Sequence, residues 1–407
     1  MLIRASLLAA AVLLAGCSSS PEQPQDDSTV IDTSVDVGSN GLSVEWRTRV
    51  GQGVGSHYTR IAPAVVDDKL YIASRDGRIA QLELASGDTD WSITLDDDIG
   101  AGVAVQGQYL IVATRNGVLH CLDRNNGEEI WQAPLSSEAV SPAGFDSSKA
   151  YVHTIDGRIS AFDLATGAQR WSYETAMPIL SVRGTASPVV VGGVVVTGLA
   201  NGKVVAIDAR LGVPSWEKRL ATPEGRSELE RLVDSDGTVQ VDNQLIYAAS
   251  YHGKMAALSA SGETRWEQDA SSYTSPAMAL GNLYLTLDDS SVQAFDVYSG
   301  NPVWTQKSLQ GKQLGAVEAW DGKLAVVDSD GYIYLLSQID GEITSRLSLV
   351  PNALHVSYPN QSEATRWRRL RGQHFGAYSP LKATAEGLLV YTNNGDIMLL
   401  TQDDTDS

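Results

Sequence analysis

Hydrophobic and polar positions alternate in short runs along most of this chain, with turn-forming residues between the runs at regular intervals. Residues 61–95 show the unit. The apolar run Ile61-Ala62-Pro63-Ala64-Val65-Val66 predicts a first strand, and its proline is tolerable near a strand's start. Asp67-Asp68-Lys69 turns the chain, and Leu70-Tyr71-Ile72-Ala73-Ser74 predicts a second strand. Asp76-Gly77 supplies the positive φ that a tight hairpin needs. Arg78 to Leu84 alternates as a third strand, Ser86-Gly87-Asp88 turns again, and Trp91 to Leu95 makes a fourth.

The unit repeats. Its second turn recurs at Asn116-Gly117, Asp156-Gly157, Asn201-Gly202, His252-Gly253, Ser290-Ser291, Asp330-Gly331 and Asn394-Gly395, and first-strand prolines recur at Pro142, Pro188, Pro276 and Pro380. A glycine is followed four residues later by tryptophan at Gly87–Trp91, Gly127–Trp131, Gly167–Trp171, Gly212–Trp216, Gly262–Trp266 and Gly300–Trp304, with Gly341–Ser345 a degenerate copy. The spacing is about 40 residues, and four short antiparallel strands at that period predict one blade of a β-propeller per unit. The tryptophans then fill the wedges between neighbouring blades.

Counting second turns predicts eight blades, yet the last has no tryptophan strand after it. Leu42-Ser43-Val44-Glu45-Trp46 has no blade of its own. It is expected to complete the final sheet and close the ring, which removes two sheet edges. An open solenoid would leave Trp46 unpaired.

Ahead of the repeats, Arg4 is followed by the apolar run Ala5 to Leu14 and then Leu14-Ala15-Gly16-Cys17. The run is too short to span a bilayer as a permanent helix and reads as an export signal. The expected organisation is a signal at 1–16, a Ser/Pro/Asp/Gln-rich flexible tether at 17–40 and the propeller at 41–407. Two segments break the period, at 221–238 and 350–378, and such insertions map to loops. Cys121 stands where sister repeats carry Ala161, Ala206, Ala257 and Ala294, so it is expected to be a small buried hydrophobe.

The formal net charge is −19, which argues against nucleic acid as a partner, since affinity there comes largely from cationic contacts. The six histidines (His57, His120, His153, His252, His355, His374) are dispersed without metal-ligand spacing. Acid runs such as Asp67-Asp68 and Asp96-Asp97-Asp98 fall in turns, where solvated capping is the default reading. No phosphate-cradling glycine loop precedes a helical pattern. No catalytic residue, metal or cofactor is expected.

The stretch Ala161-Phe162-Asp163-Leu164-Ala165-Thr166-Gly167-Ala168-Gln169-Arg170-Trp171 resembles the tryptophan-docking motif of pyrroloquinoline-quinone (PQQ) dehydrogenases, which are eight-bladed propellers. A quinone-binding propeller of that kind is the alternative functional reading. It needs oxygen ligands for calcium, an aspartate base and a flat aromatic floor, and no such Glu/Asn/Asp cluster stands out. A wider resemblance covers nearly the whole chain. The lipobox, the repeats and the motifs Met177-Pro178-Ile179-Leu180-Ser181-Val182-Arg183-Gly184 and Glu228-Leu229-Glu230-Arg231-Leu232-Val233-Asp234-Ser235-Asp236 are similar to the BamB family of propeller lipoproteins in the outer-membrane β-barrel assembly machinery.

That resemblance implies acylation of Cys17, anchoring on the periplasmic face of the outer membrane, and a non-catalytic role in barrel assembly. It also implies that the two loops lie together and dock onto a POTRA domain of BamA, with unfolded outer-membrane proteins as further clients. The partner-facing residues it implies are Leu180, Val182, Arg183, Arg231, Asp234 and Asp236.

The residues themselves are compatible with this. Leu180 and Val182 put apolar side chains in a loop, and Arg183 beside them gives the composition of an interface hot spot. Asp234 and Asp236 are placed to meet basic groups on a partner or to neutralise Arg231. The competing reading has Leu180 and Val182 plugging the propeller edge and the aspartates capping turns. The insertion at 350–378 departs from the family pattern, carrying Arg366, Arg368, Arg369 and Arg371 around Trp367. It reads either as a solvated loop or as a site for a carboxylate-rich partner or an anionic lipid head group.

Overall fold

The computed structural model describes residues 38–55, 60–181, 184–350 and 376–402. The signal segment, Cys17 and the tether lie outside the described residues, as do Val182, Arg183, Arg366, Trp367, Arg368, Arg369 and Arg371. The described residues form eight four-stranded antiparallel sheets, and no helix is found among them. The sheets are the blades of an eight-bladed propeller, as the repeat predicts.

Blade 1 is built from Ala64–Val66, Lys69–Ala73, Arg78–Glu83 and Thr89–Thr94. Its first strand is shorter than the apolar run 61–66 suggests. The backbone at Arg60 bonds instead to Val140 O and Gly102 N, outside its own sheet, while Ile61 is buried as packing. The second and third strands are buried along nearly their whole length, as in Leu70-Tyr71-Ile72-Ala73. Neighbouring blades cover both faces of each sheet there, so these strands read as continuous apolar runs. The fourth strand alternates exposed and half-buried positions, because it lies where the wedge opens to solvent.

Ring closure follows the expected route. Leu42–Arg49 pairs antiparallel with Asp396–Gln402, from Leu42 opposite Gln402 to Arg49 opposite Asp396, with a bulge between Val44 and Trp46. Blade 8 therefore takes its fourth strand from the start of the described chain and the other three from its end.

The Gly-x-x-x-Trp spacing has an explanation that spans units. Each glycine receives the tryptophan of the preceding blade. A Cβ placed on Gly167, whose φ is +70°, would lie 2.6 Å from the Trp131 ring, so only glycine allows the indole to lie against the turn. The indole N–H then donates to a backbone carbonyl of the same turn. Trp46, Trp91, Trp131, Trp171, Trp216, Trp266 and Trp304 bond to Leu84, Arg124, Leu164, Ala209, Ala260, Val297 and Gln338, at 2.8–3.1 Å.

The seam from blade 7 to blade 8 differs. Ser345 is fully buried at the tryptophan position, opposite Leu335. In blade 8 the third and fourth strands are not joined by a turn, so no glycine turn exists to receive an indole. Polar contacts span this seam instead: Arg47 Nη2 donates to Leu349 O (2.9 Å), and Lys323 Nζ donates to Gln402 Oε1 (2.9 Å).

Cys121 is fully buried opposite Trp131, in register with the alanines of the sister blades. Burial, with the nearby Asp123, pushes its thiol up to about 12.

Candidate functional site

Two connections running from a fourth strand to the next first strand stand out, and both border blade 4. One leads from Gln169–Glu174 to Val189–Val191, the other from Pro214–Arg219 to Gln240–Asp242. Connections of this type share one face of the ring, and these two touch. A Cβ on Gly184 would lie 2.1 Å from Asp236 Oδ2, so the first connection runs against the carboxyl of the second. Ser187 N donates to Thr238 Oγ1 (3.3 Å), a further link between them.

The second connection is internally braced. Ser227 and Glu230 form a reciprocal cap: Glu230 N donates to Ser227 Oγ (3.2 Å) and Ser227 N to Glu230 Oε2 (3.3 Å). Arg226 N also donates to Glu230 Oε2 (2.6 Å). This single turn carries Leu229 outward, 70 % exposed. Further on, Asp234 O accepts from Tyr251 N and Ser250 Oγ, both at 2.7 Å, and His252 Nδ1 lies 2.9 Å from Leu232 O.

Above this frame stands an apolar crest. Ile179 is 93 % exposed and Leu180 43 %, with Met177 and Leu229 also open to solvent. Single exposed apolar residues are ordinary, but here four stand on two touching loops of a strongly acidic chain. Arg231 lies at its edge, ion-paired with Glu228 at 3.7 Å. Val182 and Arg183 fall outside the described residues.

Asp234 and Asp236 require a correction. They are buried, with Asp234 0 % exposed, so they offer no carboxylate to a partner's surface. Nor do they neutralise Arg231, whose ion pair is with Glu228. Among the described residues, the cation that acts on both is Arg60, from the connection that precedes blade 1. Burial and the adjacent Asp236 push the Asp234 carboxyl well above the usual carboxylate range, and burial raises Asp236 against the pull of Arg60.

Sequence reasoning missed Ile179, Leu229 and Arg60. Isoleucine between Pro178 and Leu180, and a lone leucine among Glu228, Glu230 and Arg231, were readable signals of apolar side chains in polar loops. Arg60 had no local signal.

Other acids behave as turn caps. Asp97 Oδ1 accepts from Asn116 Nδ2 (2.7 Å) and Asp76 Oδ1 from Gln52 N (3.2 Å). Among the described residues, no three His, Cys, Asp or Glu side chains converge as metal ligands. Thr238, Ser275, Glu318 and Leu381 help line an axial cavity of about 150 Å³, below the roughly 300–1,000 Å³ of small-molecule sites.

Comparison with known proteins gives a consistent family. A family model described as outer membrane protein assembly factor BamB matches residues 76–306. The chain is 47 % identical over 343 residues to the outer membrane protein assembly factor BamB of Pseudomonas aeruginosa, covering 84 % of this chain and 90 % of that protein. Among solved structures, BamB from Moraxella catarrhalis superposes with a TM-score of 0.75 at 26 % identity, covering 89 % of this chain and 100 % of the other. Quinohemoprotein alcohol dehydrogenase from Comamonas testosteroni superposes with a TM-score of 0.64, over 90 % of this chain and 78 % of the other. Its 12 % identity makes that a likeness of fold alone.

Proposed function

As this chain belongs to the BamB family of outer membrane protein assembly factors, we propose that it works as a non-catalytic scaffold docking BamA through the crest on blade 4. The observation that carries this reading is the crest itself. Ile179, Leu180 and Leu229 project from two mutually braced loops, with Arg231 and Glu228 as a charged rim. An apolar centre with a polar rim is the anatomy of a protein–protein interface. In this reading Val182 and Arg183 also contact BamA. Asp234 and Asp236 contribute from beneath it, by fixing the second loop.

The partner is a periplasmic POTRA domain of BamA, and the rigid ring orients that domain while β-barrel proteins are assembled. Unfolded outer-membrane proteins are the clients of the complex. Attachment is through acyl chains on Cys17, on the periplasmic face. Each buried methylene contributes about 0.8 kcal/mol, so several chains hold the protein where one would not.

The test is a paired substitution on the crest. Ile179→Glu with Leu180→Glu is expected to abolish co-purification with BamA from solubilised envelope while the melting temperature stays at the parent value. Retained co-purification refutes the docking assignment.

A further inference from the structure

Arg60 sits at the mouth of the ring, away from both crest loops in sequence and in backbone. Its backbone is fixed toward blades 2 and 3: Arg60 N donates to Val140 O (2.9 Å), and Gly102 N donates to Arg60 O (3.0 Å). From there its half-buried side chain reaches across to blades 5 and 6. Nη1 donates to Thr238 Oγ1 (3.5 Å) and Nη2 to Tyr273 O (3.4 Å).

Thr238 is a junction. Its hydroxyl accepts from Arg60 and from Ser187 N, while its own N–H donates to Ser275 Oγ (2.9 Å). One threonine thus ties Arg60 to the loop carrying Ile179 and Leu180, and it ends the loop carrying Leu229. Beside it, Asp236 packs against the backbone of Gly184. Arg60 acts electrostatically on both Asp234 and Asp236, and burial raises both carboxyls against its pull.

We infer that Arg60 is a positioning residue for the docking crest: through Thr238 and the Asp236 carboxylate it locks the two loops together, so that Ile179, Leu180 and Leu229 face one way. The inference rests on the docking reading above for its function, but the lock itself is a property of the free chain.

The experiment uses the full-length chain, with a purified POTRA fragment of BamA as titrant and amide exchange at Ser187 and Tyr251 as a second readout. Arg60→Met and Asp236→Asn each remove one arm of the lock, and each is expected to weaken binding about tenfold or more. Asp234→Asn keeps the side-chain oxygen that accepts from Ser235 N (2.8 Å) and is expected to stay within about twofold of the parent. The double variant Arg60→Met with Asp236→Asn removes both arms of the lock and is expected to bind no more tightly than either single variant.

In Arg60→Met, exchange at Ser187 and Tyr251 should accelerate without added partner. Parent-like affinity and exchange in Arg60→Met overturn the inference. So does a double variant that folds and binds like the parent. A parent that does not bind the POTRA fragment, with exchange still faster in Arg60→Met, refutes the docking reading and upholds the lock.

Discussion

Replacing Trp46 by alanine tests how the ring is closed. Trp46 is half-buried on the strand Leu42–Arg49, its indole lies against Gly87 of blade 1, and its N–H donates to Leu84 O at 3.0 Å. An aromatic side chain of this size buries roughly 150–250 Å², worth about 4–6 kcal/mol when fully covered. Half-burial reduces that to about 2–3 kcal/mol, and the lost indole hydrogen bond adds about 1 kcal/mol. The expected loss is therefore about 3–4 kcal/mol, concentrated on one strand. Since about 1.4 kcal/mol corresponds to a factor of ten, local opening of Leu42–Arg49 should become roughly a hundred- to a thousand-fold more frequent.

Amide exchange followed by mass spectrometry reads this directly on peptides covering 42–49 and 396–402. The 42–49 peptide should lose protection throughout, and 396–402 only at the amides that face it, because Asp396–Gln402 also pairs with Leu388–Tyr391. The control is Trp266→Ala, which removes a 9 % exposed indole at the blade 5–6 seam and should loosen that seam instead. If Trp46→Ala leaves the protection of 42–49 at the parent level, the closing strand is not held by its tryptophan and the reasoning fails.

Other outcomes are equally specific. His153 is buried and neutral, with burial lowering its pKa from 6.5 to about 4. The unfolded chain takes up that proton first on acidification, so this group's contribution to stability falls by about 2 kcal/mol between pH 7 and pH 5. His153→Gln should show that difference from the parent in urea midpoints, and an equal offset at both pH values would disprove it. The Cys121 thiol should resist iodoacetamide in the folded chain at pH 8 and react once the chain is unfolded in guanidinium; rapid labelling of folded protein would contradict its burial. Titration with pyrroloquinoline quinone and calcium should give no tight binding, and tight binding with dye reduction by an alcohol would restore the dehydrogenase reading.

The fold was legible because its signals are local. Asp76-Gly77 and its sisters mark hairpins, the apolar runs between them mark strands covered on both faces, and the orphan strand at Trp46 pointed to closure. Part of the site was legible for the same reason: Leu180 is an apolar residue in a loop wherever the loop folds back. The aspartates were not. A carboxylate in a polar loop looks the same in sequence whether it faces solvent or, like Asp234, lies fully buried beside Asp236 and Arg60.

Periodicity in this sequence determined the number of blades, the order of strands within each, and which strand had to travel to complete the last sheet. Tertiary structure alone decided that each glycine serves the tryptophan of the blade before it, that Ser345 replaces an indole because blade 8 has no turn to receive one, and that Arg60 reaches across the ring mouth to Thr238 and Tyr273. The physical reason is that alternation records which side of a strand is covered, whereas the identity of the covering atoms is set when distant segments are brought together by closing the ring.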